Sequence, residues 1–305
     1  MSAILVDPQH PEAALREALY SGNTVMLKPA TASKKLCEFA WKMIQDAFSP
    51  LHPEQAQSEL PVEKFSEIIS QLKPKFTHSP EAKRYLRELF EELGWDPAKT
   101  YFDVPKLRVV THSSYLTSGM GYAYKAHRDV WYSAPSCQIN WWMPINEIQE
   151  RSAMVIHPRY FNREVPNNSS DFDAYKWNAE GRKNAALYIK NDPRNHPHLQ
   201  GNLDLDWQVL VGRPGALMLF SAQQLHSTVP NDSGKTRFSI DFRTVHEDDI
   251  LAHRGARLVD CACSGTTLPD FIRSTDHGRF QEDVVTSYEV GGRAKDGVLV
   301  FSPGA

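Results

Sequence analysis

At about residue 105 the spacing of apolar side chains changes from helical to extended, and this change constrains the fold more than any other feature of the chain. Upstream, Ala82, Tyr85, Leu86, Leu89, Phe90 and Leu93 share one helical face. Ser79-Pro80 supplies an N-cap and first-turn proline, and Gly94 a stop. Leu36, Phe39, Ala40, Met43, Ile44 and Ala47 repeat the pattern, and Pro61 opens a shorter helix carrying Val62, Phe65, Ile69 and Leu72. Thr24-Val25-Met26-Leu27 is the exception, a strand after the first helix. Downstream, short β-rich runs at 106–112, 121–126, 137–143, 153–157, 207–211, 216–220 and 236–245 are separated by Pro, Gly, Asn and Asp. Many short strands at modest spacing predict an antiparallel sandwich or barrel. Residues 160–205 break the rhythm, polar and rich in Asn, and read as an insertion of the kind that forms lids or binding loops. The last sixty residues offer a helix near 268–274 and a strand at Val298-Leu299-Val300-Phe301.

A single domain over 1–305 is expected: a mainly helical part at 1–104, a β core at 105–245 and a C-terminal extension at 246–305. The chain is long enough to bury a large core. Its 41% hydrophobic and 23% charged residues exclude disordered and collagen-like classes. A net charge of -3, with Lys and Arg scattered, leaves no footprint for nucleic acid or an anionic membrane. The first residues lack a basic segment followed by an apolar one, and no apolar run approaches the ~20 residues that span a bilayer. Cysteines are four, Cys37, Cys137, Cys261 and Cys263. Reduced thiols and a cytoplasmic location are the expectation. Oligomeric state is not legible.

Two H-x-D triplets occur, His127-Arg128-Asp129 and His246-Glu247-Asp248. Context separates them. The first is followed by Pro214-Gly215, Gln224-Leu225-His226, Pro230-Asn231 and Thr236-Arg237-Phe238-Ser239; the second has only His253 and His277 downstream. On a strand, residues two apart face the same side, so His127 and Asp129 can grip one ion while Arg128 points away. A histidine from a distant strand, His226, completes two imidazoles and one carboxylate, the donor set of non-haem iron(II) oxygenases with open positions. Arg237 offers a bidentate fork to a co-substrate carboxylate. In 236–243, Arg237, Ser239, Asp241 and Arg243 share a polar face, opposite Phe238, Ile240 and Phe242. Gln138, Asn140 and Trp142 alternate in the same way, which makes Gln138 and Asn140 candidates to line the site.

From about Tyr122 to Thr244 the chain resembles the phytanoyl-CoA dioxygenase-like family of iron(II)/2-oxoglutarate-dependent oxygenases. The resemblance implies an α+β fold: a double-stranded β-helix (jelly-roll or cupin-like) barrel with covering N-terminal helices. It matches His127, Asp129 and His226 to the iron ligands, Arg237 to the arginine on the far carboxylate of 2-oxoglutarate, and Ser239 to its hydroxyl partner. The implied cofactors are Fe(II), 2-oxoglutarate as co-substrate and O2. Where the family often has Pro-Gly-Ser-His, this chain has His157-Pro158-Arg159-Tyr160, near the expected substrate contacts. His157, Arg243 and the aromatics Trp142, Tyr124 and Trp131 are the candidate substrate residues, with Tyr122 a further aromatic.

The expected activity is hydroxylation of a small-molecule metabolite, amino-acid-like or a natural-product intermediate, releasing succinate and CO2. The alternatives are a cupin-like metalloenzyme that does not use 2-oxoglutarate, and a non-catalytic jelly-roll binding protein. Arg237 at its spacing argues against the first, and the triad against the second. Asp129 argues against halogenation, because family halogenases carry Ala or Gly there. A kinase catalytic loop needs Asn five residues past the Asp, and that position is Ala134. His196-Pro197-His198 and Cys261-Ala262-Cys263 lack partners at metal-ligand spacing.

Overall fold

The computed structural model describes residues 2–117, 125–181, 192, 196–202, 208–210, 212–289, 293–295 and 298–300. The helices stand where the apolar spacing places them: α1 (Glu12–Tyr20), α2 (Thr31–Phe48), α3 (Val62–Thr77) and α4 (Pro80–Glu92). The Ser79 hydroxyl accepts from the Ala82 amide at the start of α4. Gly94, just past the end, takes φ +73, a conformation with little penalty only for glycine. α3 runs longer than its apolar stripe, through Pro74 to Thr77.

The strands β1 (Ile4–Val6), β2 (Thr24–Leu27), β3 (Thr100–Phe102), β4 (Lys106–Val110), β5 (Ile139–Pro144), β6 (Met154–Ile156), β7 (Gln208–Leu210), β8 (Leu217–Ser221), β9 (His226–Thr228), β10 (Arg237–His246) and β11 (Ile272–Arg273) form two sheets. The larger runs β1-β2-β8-β5-β10-β3-β11, and β4 also pairs with β10; the smaller runs β7-β6-β9. The ten-residue β10 organises the large sheet. Its first half pairs with β4, its last residues with β3, and its other edge with β5.

Alternation assigns the two faces. Phe238 meets Trp41 and Phe48 of α2, while Phe90 of α4 packs on Trp141 and Phe242. Trp142, adjacent to Trp141, turns the other way and packs with Met154, Ile156, Met218 and Phe220. That second cluster joins residues of both sheets, so the helices cover one face of the large sheet and the small sheet approaches the other.

The first hundred residues, which hold the four helices, also give the large sheet β1, β3 and the expected strand β2. One expectation is corrected. Residues 268–274 are not a helix: Leu268–Asp270 is a single 3-10 turn, and Ile272–Arg273 pairs with β3, because an open sheet edge is available to it. Within the insertion, the described residues hold short 3-10 turns, a helical turn at Ala174–Lys176 and a π turn at Trp177–Gly181. The β run at 121–126 falls largely outside the described residues. Among the described residues no helix is long and apolar enough to cross a membrane, and all four cysteines are free.

Candidate metal centre

His127 and His226 face each other across an isolated antiparallel bridge, their amides and carbonyls exchanging bonds of 2.9 and 3.0 Å. Asp129 does not continue as a strand; it opens a 3-10 turn over Asp129–Tyr132. The turn brings its carboxylate to the imidazoles: Oδ1 lies 3.6 Å from Nε2 of His127 and 3.7 Å from Nε2 of His226. The three side chains are buried, and one donor atom from each lies within 4.8 Å of the others.

Each ligand is oriented from behind. The His127 Nδ1 lies 2.7 Å from the Lys125 carbonyl, and the His226 Nδ1 lies 2.9 Å from that of Gln224. A carbonyl accepts only, so both Nδ1 atoms carry protons and both Nε2 lone pairs turn inward, the usual support for metal-binding imidazoles. The outer Asp129 oxygen, Oδ2, accepts from Gln138 Nε2 and Arg243 Nε, each at 3.2 Å. Burial alone would raise the Asp129 carboxyl, but the Arg243 guanidinium and the two histidines hold it well below the usual carboxylate range. Burial, with His127 beside it, pushes His226 down to about 3. Two imidazole nitrogens and one carboxylate converge, a donor set that fits a divalent first-row metal.

Arg128, between two of the ligands, is fully buried and points away from them. Its Nη1 donates to the Gln223 carbonyl at 2.6 Å, and Nη2 to those of Tyr160 and Arg163 at 2.8 Å. Its Nε meets Asp260 Oδ1 at 3.1 Å. Asp260 also accepts from Trp131 Nε1 at 2.9 Å and from the Val165 amide at 3.0 Å.

The centre opens into a cavity of about 570 Å³, within the range of small-molecule sites. Gln138, Asn140, Trp142, Arg237 and Arg243 all line it. Gln138 donates to Asn140 Oδ1 at 2.9 Å. The Arg237 guanidinium lies 5.7 Å from the Trp142 ring centre, and its Nη1 donates to the Ser152 carbonyl at 2.6 Å. Ser239, on the same face of β10, is fully buried, and its Oγ has no hydrogen-bond partner among the described residues.

Two candidate substrate residues stand away from the cavity wall. Trp131 is buried against Val130, Val165 and Leu225 and does not reach the cavity, because its indole N–H is drawn to Asp260. His157 is fully buried, its ring nitrogen 3.1 Å from the Ser227 hydroxyl. Tyr124, like Tyr122, lies outside the described residues. Sequence reading did not single out the rest of the wall: Asp103, Lys106 and Arg108 from β4 and its approach, Tyr132, Phe172 and Trp177, and Thr267, Asp270 and Phe271 from the C-terminal extension. The alternation of Lys106 and Arg108 along β4 was the one signal available for any of these.

No family model and no curated protein matches the chain. Among solved structures, EvdO2 from Micromonospora carbonacea var. aurantiaca is 15% identical over 79% of this chain and 93% of that one, with a TM-score of 0.45. A non-heme monooxygenase, ThoJ, is 12% identical over 88% and 86%, with a TM-score of 0.45. The non-heme alpha ketoglutarate dependent epimerase SnoN from nogalamycin biosynthesis is 13% identical over 77% and 84%, with a TM-score of 0.39.

Proposed function

We propose that this chain is an iron(II)- and 2-oxoglutarate-dependent oxygenase of the phytanoyl-CoA dioxygenase-like type, hydroxylating a small molecule. The fold assigned with it is a double-stranded β-helix whose layers are the large sheet and the β7-β6-β9 sheet. The observation that carries this reading is the buried triad, with each imidazole tautomer fixed by a main-chain carbonyl and Asp129 divided between an inner and an outer oxygen. The balanced reaction is 2-oxoglutarate + O2 + R–H → succinate + CO2 + R–OH.

His127, Asp129 and His226 would hold the metal. Bound there, iron(II) supplies the coupling of O2 reduction to oxidative decarboxylation of the 2-oxo acid. Arg237 binds the far carboxylate with a charge-assisted fork, and the Ser239 Oγ gains the partner its burial calls for. Asn140, whose Oδ1 is taken by Gln138, supplies amide donors nearer the triad, and Gln138, with its own N–H groups on Asp129 and Asn140, positions both. Trp142, Met154 and Phe220 keep water from that end of the cavity. Arg243 and Gln138 hold Oδ2, so that Oδ1 alone is offered inward.

Anaerobic titration with iron(II) and then 2-oxoglutarate, followed by admission of O2, tests the assignment through succinate yield. One metal per chain and metal-dependent succinate are expected. A protein that binds no metal at His127, Asp129 and His226, or binds it and forms no succinate, is not this enzyme.

A further inference from the structure

Resting on the oxygenase reading above, the wall of the cavity beyond the metal identifies the substrate's chemistry. Three basic and three acidic side chains form one lattice there. Lys106 pairs with Asp103, and Arg108 donates to both Asp241 oxygens, Nη2 reaching Oδ2 at 2.9 Å. Arg243 joins the pairs, its Nη1 3.2 Å from Asp103 Oδ2 and its Nη2 3.6 Å from Asp241 Oδ2, besides its bond to Asp129. Lys106, Arg108 and Arg243 are therefore each paired with a carboxylate of the protein, and Lys73 lies close enough to Arg108 and Asp241 to act on both. A charged substrate would have to displace one partner and leave its counter-ion buried, which opposes binding. The paired groups still offer N–H donors and carboxylate lone pairs side by side, which suits a hydroxyl that donates and accepts at once.

Another part of the wall is aromatic. Tyr132 and Phe172 lie 5.1 Å apart, and Phe172 and Trp177 5.9 Å apart, their rings inclined at 68° and 43°. Such faces take the C–H side of a saturated ring. The geometry points to an uncharged, polyhydroxylated ring compound of the glycoside class as substrate, its ring against Trp177 and its hydroxyls on the Arg108–Asp241 lattice.

The test offers holoenzyme, with iron(II) and 2-oxoglutarate, a metabolite extract of the cells that make the protein. The extract is divided into anion-exchange-retained, cation-exchange-retained and unretained fractions, and succinate above the unstimulated rate is measured. Stimulation is expected in the unretained fraction and is expected to vanish when that fraction is first treated with periodate, which cleaves vicinal diols, and then quenched. Trp177→Ala should raise the amount of that fraction needed for half-maximal stimulation about tenfold. Stimulation residing in a retained fraction, surviving periodate, or absent from all three overturns the assignment. Failure of the oxygenase reading looks different: no metal-dependent succinate appears in any arm, the unstimulated control included, and the substrate assignment falls with it.

Discussion

Asp129 meets four side chains at once: His127 and His226 at its inner oxygen, Gln138 and Arg243 at its outer one. Asp129→Ala should therefore abolish stoichiometric metal binding and succinate formation while the far-ultraviolet circular dichroism stays native; normal turnover in this variant would move the metal site elsewhere. Arg243 is a positioning residue, acting through Asp129. Arg243→Leu frees the outer oxygen and leaves Asp103 and Asp241 short of a cation, and should weaken cobalt(II) binding about tenfold or more. Arg243→Lys, which restores charge without the planar fork, should recover part of that loss. An affinity equal to that of the parent in both variants would show that Gln138 suffices to orient the ligand. Arg237→Leu should raise the 2-oxoglutarate concentration needed for half-maximal succinate formation about ten- to a hundredfold, the effect of losing a charge-assisted pair. The triad and the face of β10 could be read from the sequence because the order of the ligands, the downstream context around His226 and the strand alternation from Arg237 agree. Trp131 and His157 could not, because their partners, Asp260 and Ser227, come from segments whose approach depends on the folded chain.

Among the elements, β10 was the most legible. A strand buried on both faces but polar on one writes its alternation directly into the sequence, and the register with β5 keeps Trp142 opposite Asp241 on the cavity side. Short elements were not legible. β9 and β11 have three and two residues, too few to show a period, and form because neighbouring strands offer open edges. Nor does H-x-D spacing distinguish a strand from the 3-10 turn that Asp129 begins. The C-terminal extension proves to be a clamp on that turn. Asp260 holds Arg128 and Trp131, and Ser133 donates to the Ser264 carbonyl at 2.6 Å. Asp260→Ala leaves the Arg128 charge buried without its counter-ion, a change that costs about 3–5 kcal/mol. Urea denaturation should show that loss, and a change below ~1 kcal/mol would mean that the main-chain carbonyls alone satisfy Arg128.

For the whole molecule, the triad links metal and proton binding to folding. A metal that binds only the folded chain stabilises it by about 2.7 kcal/mol at a hundred times its dissociation constant. Manganese(II) should therefore raise the melting temperature of the parent protein and leave that of Asp129→Ala unmoved. Acid acts in the opposite direction. His226 stays neutral down to about 3 in the folded chain, whereas an unfolded histidine titrates near ~6.5. Below that higher value the unfolded chain binds a proton that the folded chain refuses, so metal-free stability should fall as pH drops from about 6.5 towards about 3. His226→Gln should flatten that slope, and an unchanged slope would assign the acid sensitivity to other groups. Arg128 is tied to the same transition. In a search pattern the middle letter of H-x-D is a wildcard, yet here its guanidinium fastens the ligand turn to three remote stretches of chain. A saturation-mutagenesis map should accordingly show three adjacent intolerant columns at 127–129, the outer two failing in metal uptake and the middle one in yield of folded protein.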